Sequence, residues 1–231
     1  KETNSDSFKN LDIAIFSAGS QNTVTFADAA RKSDCVVIDN SSAFRMDKDV
    51  PLVIPEINGD ALESHKGIIA NPNCSTAVAL MGLYPLHKRF GLKRFFASTY
   101  QAVSGAGAEG VTELENQVKN QISNEPSPPP PDSDPVFQHP IAFNLIPHID
   151  DFREDGYTKE ELKMRNETRK ILGIPSIQVS CTCVRVPVLR AHSISINAEF
   201  DSPVNVPDAR TTLENFEGVE LWDLPNALRY P

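Results

Sequence analysis

Two short apolar runs, Leu11-Asp12-Ile13-Ala14-Ile15-Phe16 and Cys35-Val36-Val37-Ile38-Asp39, flank the segment Val24-Thr25-Phe26-Ala27-Asp28-Ala29-Ala30-Arg31-Lys32-Ser33-Asp34. Unbroken apolar strands joined through a helix are what a parallel sheet needs, because its strands are covered on both faces and its crossover must travel the sheet's full length. The pattern predicts a β-α-β unit and an α/β fold. A glycine-rich G-x-G-x-x-G phosphate turn, which usually accompanies the first strand of such a unit, occurs nowhere in the 231 residues. Either a dinucleotide is held in another way, or that turn precedes Lys1.

Further along, GIIANPNCSTAVALMGLYPLHKRFG carries Ala77, Val78, Leu80, Met81 and Tyr84, which predict a helix starting near Asn73 and disturbed at Pro85. Cys74 then lies at a helix N-terminus, where partial positive charge and free N–H groups favour the thiolate. The bland alternative is a small buried residue. Asn71, Pro72 and Asn73 argue against burial, since turn-forming residues around a proline leave the thiol at an exposed corner. Val111, Leu114, Val118 and Ile122 predict an amphipathic helix over residues 107 to 122. Six of the ten residues from Pro126 to Pro135 are proline, which marks a surface loop. Thr158-Lys159-Glu160-Glu161 is a capping-box pattern opening a helix to Leu172, stopped by Gly173 and Pro175. IQVSCTCVRV at 177 to 186 and HSISINAEF at 192 to 200 are expected as paired strands about Pro187.

A nucleophilic cysteine needs a proton acceptor, and five histidines are available: His65, His87, His139, His148 and His192. Spacing does not choose among them. His192 is favoured by its place where a strand begins after the corner Pro187-Val188-Leu189-Arg190. Arg185 shares a strand face with Cys181 and Cys183, so its guanidinium requires either an anionic ligand or a structural partner. Glu167, Lys170 and Lys163 fall on one helix face, and a solvated ion-pair ladder explains them as readily as a ligand site does. The small-residue run Ser104-Gly105-Ala106-Gly107 precedes a helix and lets a phosphate or nicotinamide ring approach the backbone closely. Cys181 and Cys183 do not make a zinc site, because C-x-C on a strand lacks the usual spacing and no histidine pair follows.

Composition bounds the partners. A formal charge of −9 and a pI near 5.0 oppose nucleic acid and anionic membrane surfaces at long range, so an anionic ligand must be held by local cations. No run approaches the roughly 18 apolar residues of a membrane span. Four cysteines without a C-x-x-C pair are expected to be free thiols.

Four ordered segments, ANPNCSTA at 70 to 77, STYQAVSGAGAEG at 98 to 110, NETRKIL at 166 to 172 and RVPVLRAHSISIN at 185 to 197, resemble the aspartate-semialdehyde dehydrogenase family. DNSSAFRMD, VPLVIPEIN and AFNLIPHID extend the likeness over most of residues 11 to 200. The resemblance implies a partial Rossmann-like NADP-binding domain over 1–73 and an α+β catalytic and dimerisation domain with a mixed sheet over 74–231. It implies Cys74 as thioester nucleophile, His192 as acid/base and Gln101 as substrate-positioning residue. Arg185 is expected to bind the substrate carboxylate and Glu167 its amine, while Arg45 and Lys170, with Asn73 beside them, take the phosphate. Ser17, Ala18, Gly19, Ser104, Gly105, Ala106 and Gly107 are the expected NADP contacts. The implied reaction is reversible reductive dephosphorylation of L-4-aspartyl phosphate to L-aspartate-4-semialdehyde, with phosphate as co-substrate of the reverse direction, in the biosynthesis of lysine, threonine, methionine and isoleucine. A homodimer or homotetramer in the cytoplasm, or in a plastid for a photosynthetic eukaryote, is the family expectation. Residues Gly19-Ser20-Gln21-Asn22 depart from the family's G-G-S, and its opening strand and closing helical segment would lie outside Lys1 to Pro231. Two rivals remain: the related N-acetyl-glutamyl-phosphate reductase, for which the Glu167 carboxylate has no ammonium partner, and a non-catalytic fragment or paralogue that only dimerises.

Overall fold

The computed structural model describes residues 2–123 and 135–231, so all of the proline-rich loop except Pro135 lies outside the described residues. The chain divides into two compact units that interleave along the sequence. The first comprises Lys1–Arg94, Lys163–Gln178 and Ala198–Pro231, and the second Phe95–Leu162 and Val179–Asn197.

The first unit is built on the predicted β-α-β. Strands β1 (Ile13–Phe16), β2 (Val36–Asp39) and β3 (Ile68–Ala70) form a parallel sheet in the order β1-β2-β3, with Ile13 opposite Val36 and Val37 opposite Ile68. Helix α1 (Ser20–Lys32) makes the first crossover and buries Ala27 and Ala30, whose small side chains allow it to lie close on β2. Val37, Ile68, Ala70, Leu52, Leu80 and Ile171 gather in the core beneath it. Ile13 and Ile15 are exposed, in contrast to the two-sided burial expected of a parallel strand. The stretch LVIPEIN contributes a single bridge, Leu52 to Ala70, and the short helix α2 (Pro55–Asn58). The third strand is formed by Ile68-Ile69-Ala70.

Helix α3 (Cys74–Phe90) begins where predicted, and it runs on for five residues past Pro85. Proline removes one i→i−4 hydrogen bond, and the buried packing of Leu80, Leu83 and Phe90 on either side of it outweighs that loss. Helix α6 (Val206–Glu214) lies against α3.

In the second unit the sequence 177 to 200 gives β5 (Gln178–Arg185) and β6 (His192–Phe200), but they do not pair with each other. Strand β4 (Leu92–Gln101), which the sequence reading missed, lies between them in the order β5-β4-β6. The sheet is mixed. Val186, just past β5, donates to the Gln101 carbonyl at the end of β4, as parallel neighbours do, whereas His192 at the start of β6 meets Ala102 just past β4, as antiparallel neighbours do. Helix α4 (Gly107–Ser123) turns Leu114, Val111 and Val118 toward a core with Phe137, Ile141 and Ile146, while Ile122 at its end is exposed. The capping box forms at the start of α5 (Lys159–Leu172): Thr158 N–H donates to Glu161 Oε2 at 2.8 Å, and Glu161 N–H to Thr158 Oγ1 at 3.3 Å. Gly173, at φ +66, supplies the left-handed stop.

Candidate active site

Within the first unit, the turn Asn71-Pro72-Asn73 delivers Cys74 as the first residue of α3. Asn73 is the N-cap, and its side-chain oxygen accepts from Ser75 N–H at 3.0 Å and Thr76 N–H at 3.2 Å. Cys74 is exposed, whereas Cys35, Cys181 and Cys183 are buried. Burial pushes the Cys35 and Cys183 thiols above their ordinary range, and pushes Cys181 up to about 12 with help from Glu161. Of the four thiols, Cys74 alone combines exposure with a helix N-terminus, the setting that favours a thiolate.

Two further predicted residues, Glu167 and Arg45, converge on the same turn, and Lys170 reaches the loop that carries Arg45. Glu167, only 1% exposed, accepts Arg45 Nη1 at 3.1 Å on one oxygen and the backbone N–H of Asn73 at 2.7 Å on the other. That burial removes the solvated-ladder reading for this residue. Arg45 also donates from Nε to the Asn71 carbonyl at 2.8 Å and from Nη2 to the Asn40 carbonyl at 3.0 Å, so these three bonds use three of its five N–H donors. Lys170 donates from Nζ to the carbonyls of Arg45, Asp47 and Val50 at 2.7–2.8 Å. An ammonium has three donors, so these contacts saturate it and pin the loop that carries Arg45. Burial pulls the Lys170 pKa below its usual value, with Asp47 acting in the opposite sense.

The turn Ser17-Ala18-Gly19 joins this group through side-chain amides. Asn40 Nδ2 donates to Ser17 Oγ at 3.2 Å, and Asn71 Nδ2 to Asn40 Oδ1 at 2.7 Å. Asp39, fully buried at the end of β2, accepts Thr23 Oγ1 at 3.0 Å, Ser41 N–H at 2.8 Å and Ser41 Oγ at 3.0 Å. Gly19 sits at φ +87 as the N-cap of α1, no side chain caps that helix, and nothing lies within 4 Å of where a Cβ would be. An uncapped helix N-terminus with open space before it fits a phosphate-bearing nucleotide.

The second unit assembles the other predicted residues around one peptide, that of Ala102. Its N–H donates to His192 Nδ1 at 3.1 Å, and its carbonyl accepts Arg185 Nη1 at 2.7 Å. Because a backbone N–H only donates, Nδ1 is the accepting nitrogen, and the neutral ring carries its proton on Nε2. Arg185 is 6% exposed on the strand face shared with Cys181 and Cys183, with its guanidinium 5.9 Å from the Phe137 ring centroid. The Ser104-Gly105-Ala106-Gly107 run forms a tight turn held to the 187–190 corner by Val103 N–H to Val188 O at 2.9 Å and Ser104 N–H to Leu189 O at 3.3 Å. A Cβ on Gly105 would lie 2.8 Å from Arg185 Nη1 and 3.4 Å from His192 Cε1 and Nε2, so this glycine backs both side chains. Gly107, at φ +87, starts α4 with open space around it. Gln101 is 1% exposed and bonded to Thr99 and Glu160.

The remaining histidines have local tasks where contacts are seen. His87 Nδ1 accepts Leu92 N–H at 3.0 Å, His65 Nδ1 accepts Gly67 N–H at 3.1 Å, and His148 stacks on Phe152 at 4.4 Å. Sequence reasoning gave no site role to Asn40, Asn71, Asp39, Thr99 and Glu160. Asn71 and the Asp39-Asn40-Ser41-Ser42 run carried a signal as turn formers, and Glu160 only as part of the capping-box pattern. Among the described residues no cluster of histidine, cysteine and carboxylate side chains could hold a metal, and no helix is long and apolar enough to cross a membrane.

The sequence profile described as semialdehyde dehydrogenase, NAD binding domain, matches residues 1–65, and that described as semialdehyde dehydrogenase, dimerisation domain, matches residues 83–231. The aspartate-semialdehyde dehydrogenase of Aquifex aeolicus is 50% identical over 228 residues, covering 98% of this chain and 66% of that protein. The crystal structure of aspartate semialdehyde dehydrogenase II from Vibrio cholerae complexed with ASA superposes with a TM-score of 0.86 at 43% identity, covering 90% of this chain and 61% of the other. The Candida albicans aspartate semialdehyde dehydrogenase structure with NADP gives a TM-score of 0.66 at 26% identity, over 89% of this chain and 56% of that one. The chain thus spans 66% of the length of the Aquifex relative and 56–61% of these two solved chains. With both profiles in sequence order and half the residues shared with a curated relative, the chain belongs to the aspartate-semialdehyde dehydrogenase family.

Proposed function

We propose that this protein catalyses the NADP-dependent interconversion of L-4-aspartyl phosphate and L-aspartate-4-semialdehyde through a thioester on Cys74. The observation that carries the reading is Cys74 itself: an exposed thiol on the first residue of a helix whose N-cap is fixed by Asn73 and Glu167. In the reductive direction the thiolate attacks the acyl carbon of the aspartyl phosphate, a carbon–sulfur bond forms, and the carbon–oxygen bond to phosphate breaks with the electron pair leaving on phosphate. NADPH, when bound, supplies the hydride that reduces the thioester carbonyl. His192 gives the proton that the resulting thiohemiacetal oxygen requires and accepts it again as the carbon–sulfur bond breaks to release the aldehyde. Ring orientation by the Ala102 N–H makes Nε2 the nitrogen that exchanges this proton.

The substrate is an amino acid with a charged group at each end, and the family resemblance divides its binding among the predicted cations and anions. Arg185 takes the α-carboxylate, Gln101 orients the acyl group, and the Glu167 carboxylate receives the ammonium. Arg45 offers its remaining donors to the phosphate. Lys170 contributes its charge and holds the Arg45 loop in place, since its own donors are engaged. The Ser17-Ala18-Gly19 turn and the Ser104 to Gly107 turn hold NADP(H), and a homodimer is the working assembly.

The test is phosphate-dependent reduction of NADP by L-aspartate-β-semialdehyde in the protein expressed from its gene, with and without Cys74→Ser. The reading expects loss of turnover in the variant and a radiolabelled acyl group on Cys74 after acid quench of the wild type. A variant within about tenfold of wild type, roughly 1.4 kcal/mol of barrier, rules out nucleophilic catalysis by this residue.

A further inference from the structure

Two adjacent glutamates open α5, and they have different tasks. Glu161 closes the capping box with Thr158 and also accepts the backbone N–H of Cys183 at 3.1 Å, so it serves the helix end and the neighbouring strand. Glu160 is not the capping residue. Its carboxylate is 5% exposed, and Oε1 accepts Nε2 of Gln101 at 3.1 Å. Gln101 Oε1 in turn accepts the Thr99 hydroxyl at 2.9 Å, and Thr99 and Gln101 are 0% and 1% exposed. A primary amide has nearly the same shape in its two orientations, so packing does not select between them. The partners do select. The Glu160 oxygen accepts here and a hydroxyl turns to suit, so the orientation with nitrogen toward Glu160 gives that oxygen a donor and the Thr99 hydroxyl an acceptor, whereas the reverse sets oxygen against oxygen in a buried site.

We propose that Glu160 is a positioning residue for Gln101: it fixes which end of the buried amide faces the substrate. The substrate-facing role of Gln101 rests on the functional reading above, and the constraint from Glu160 rests on the geometry alone. With one N–H given to Glu160 and one lone pair to Thr99, Gln101 keeps one N–H and one lone pair in fixed places. Orientation within a fraction of an ångström is what a residue guiding an acyl group toward a thiol must supply.

Glu160→Gln tests this, because an amide of the same shape accepts or donates equally well and releases the constraint. Two readouts separate the contact from its use. In the first, the side-chain amide resonance of Gln101, identified by its loss in Gln101→Ala, shifts in Glu160→Gln. In the second, kcat/KM for L-aspartate-β-semialdehyde falls about tenfold in Glu160→Gln, and the same substitution causes no further loss in a Gln101→Ala background. An unshifted resonance, or a loss of equal size in both backgrounds, overturns the proposal. A wild-type protein that turns over no semialdehyde overturns the functional reading and the substrate role of Gln101 with it, while the resonance still reports separately on the contact with Glu160.

Discussion

Glu167 accepts the backbone N–H of Asn73 at 2.7 Å, one residue before the exposed thiol of Cys74. The same carboxylate carries Arg45 on its other oxygen. A residue expected from sequence to face a substrate amine therefore also holds the helix start that carries the nucleophile. Removing it leaves a guanidinium that is 7% exposed without its counter-charge, and an orphaned buried ion is costly. Glu167→Ala is expected to lower unfolding stability by about 3 kcal/mol, measured by denaturant titration. Glu167→Gln, which keeps an acceptor for the Asn73 N–H, should lose clearly less. Equal losses in the two variants would mean that the Asn73 contact contributes nothing.

The thiols give a second prediction. Cys181 and Cys183 lie on the buried face of β5, and burial keeps their protons on well above neutral pH, as it does for Cys35. A thiolate is the reactive form, so iodoacetamide at pH 8 should modify one thiol per native chain, and peptide mapping should place it on Cys74. Denaturant should expose all four. Native labelling at any second cysteine would contradict the burial assigned to it.

Much of this site was legible in the sequence, for reasons that differ by residue. The helix start at Cys74 and the capping box at Thr158 are local patterns, in which a residue and its partner are two or three positions apart. Strand β4 was not legible, because its buried side alternates Leu92, Phe95, Ala97, Thr99 and Gln101, and the last two are polar residues made acceptable by hydrogen bonds that no periodicity reports. Its absence from the reading led β5 and β6 to be paired with each other, when each borders β4. The Lys170 contacts were hidden likewise. A lysine donating to three carbonyls more than a hundred residues away looks in sequence like any cation on a helix face.

Gly105 has so little room that a methyl group should be felt as a binding defect. Its Cβ would stand 2.8 Å from Arg185 Nη1, and that guanidinium is held by the Ala102 carbonyl at 2.7 Å, so it must yield at the expense of this bond. Gly105→Ala is expected to raise KM for the semialdehyde about tenfold, with kcat changed less and the melting temperature close to wild type. A KM equal to wild type would show that Arg185 shifts without consequence for substrate.

His87 predicts how stability responds to pH. It lies in the last turn of α3, where its Nδ1 accepts the Leu92 N–H at 3.0 Å. That bond exists only when Nδ1 is unprotonated. Partial burial, with a smaller contribution from Lys88, lowers its pKa, and Asp201 opposes the shift. A histidine whose folded pKa is below its unfolded value of about 6.5 binds fewer protons when folded, so stability rises with pH through the interval between the two values. The stabilisation is complete above the unfolded value and is lost as pH falls through the folded one. His87→Asn presents a side-chain oxygen to the same N–H and does not titrate. Urea unfolding between pH 5 and 8 should therefore be less steep in pH for this variant than for wild type. A wild-type slope retained in His87→Asn would assign the dependence to other groups.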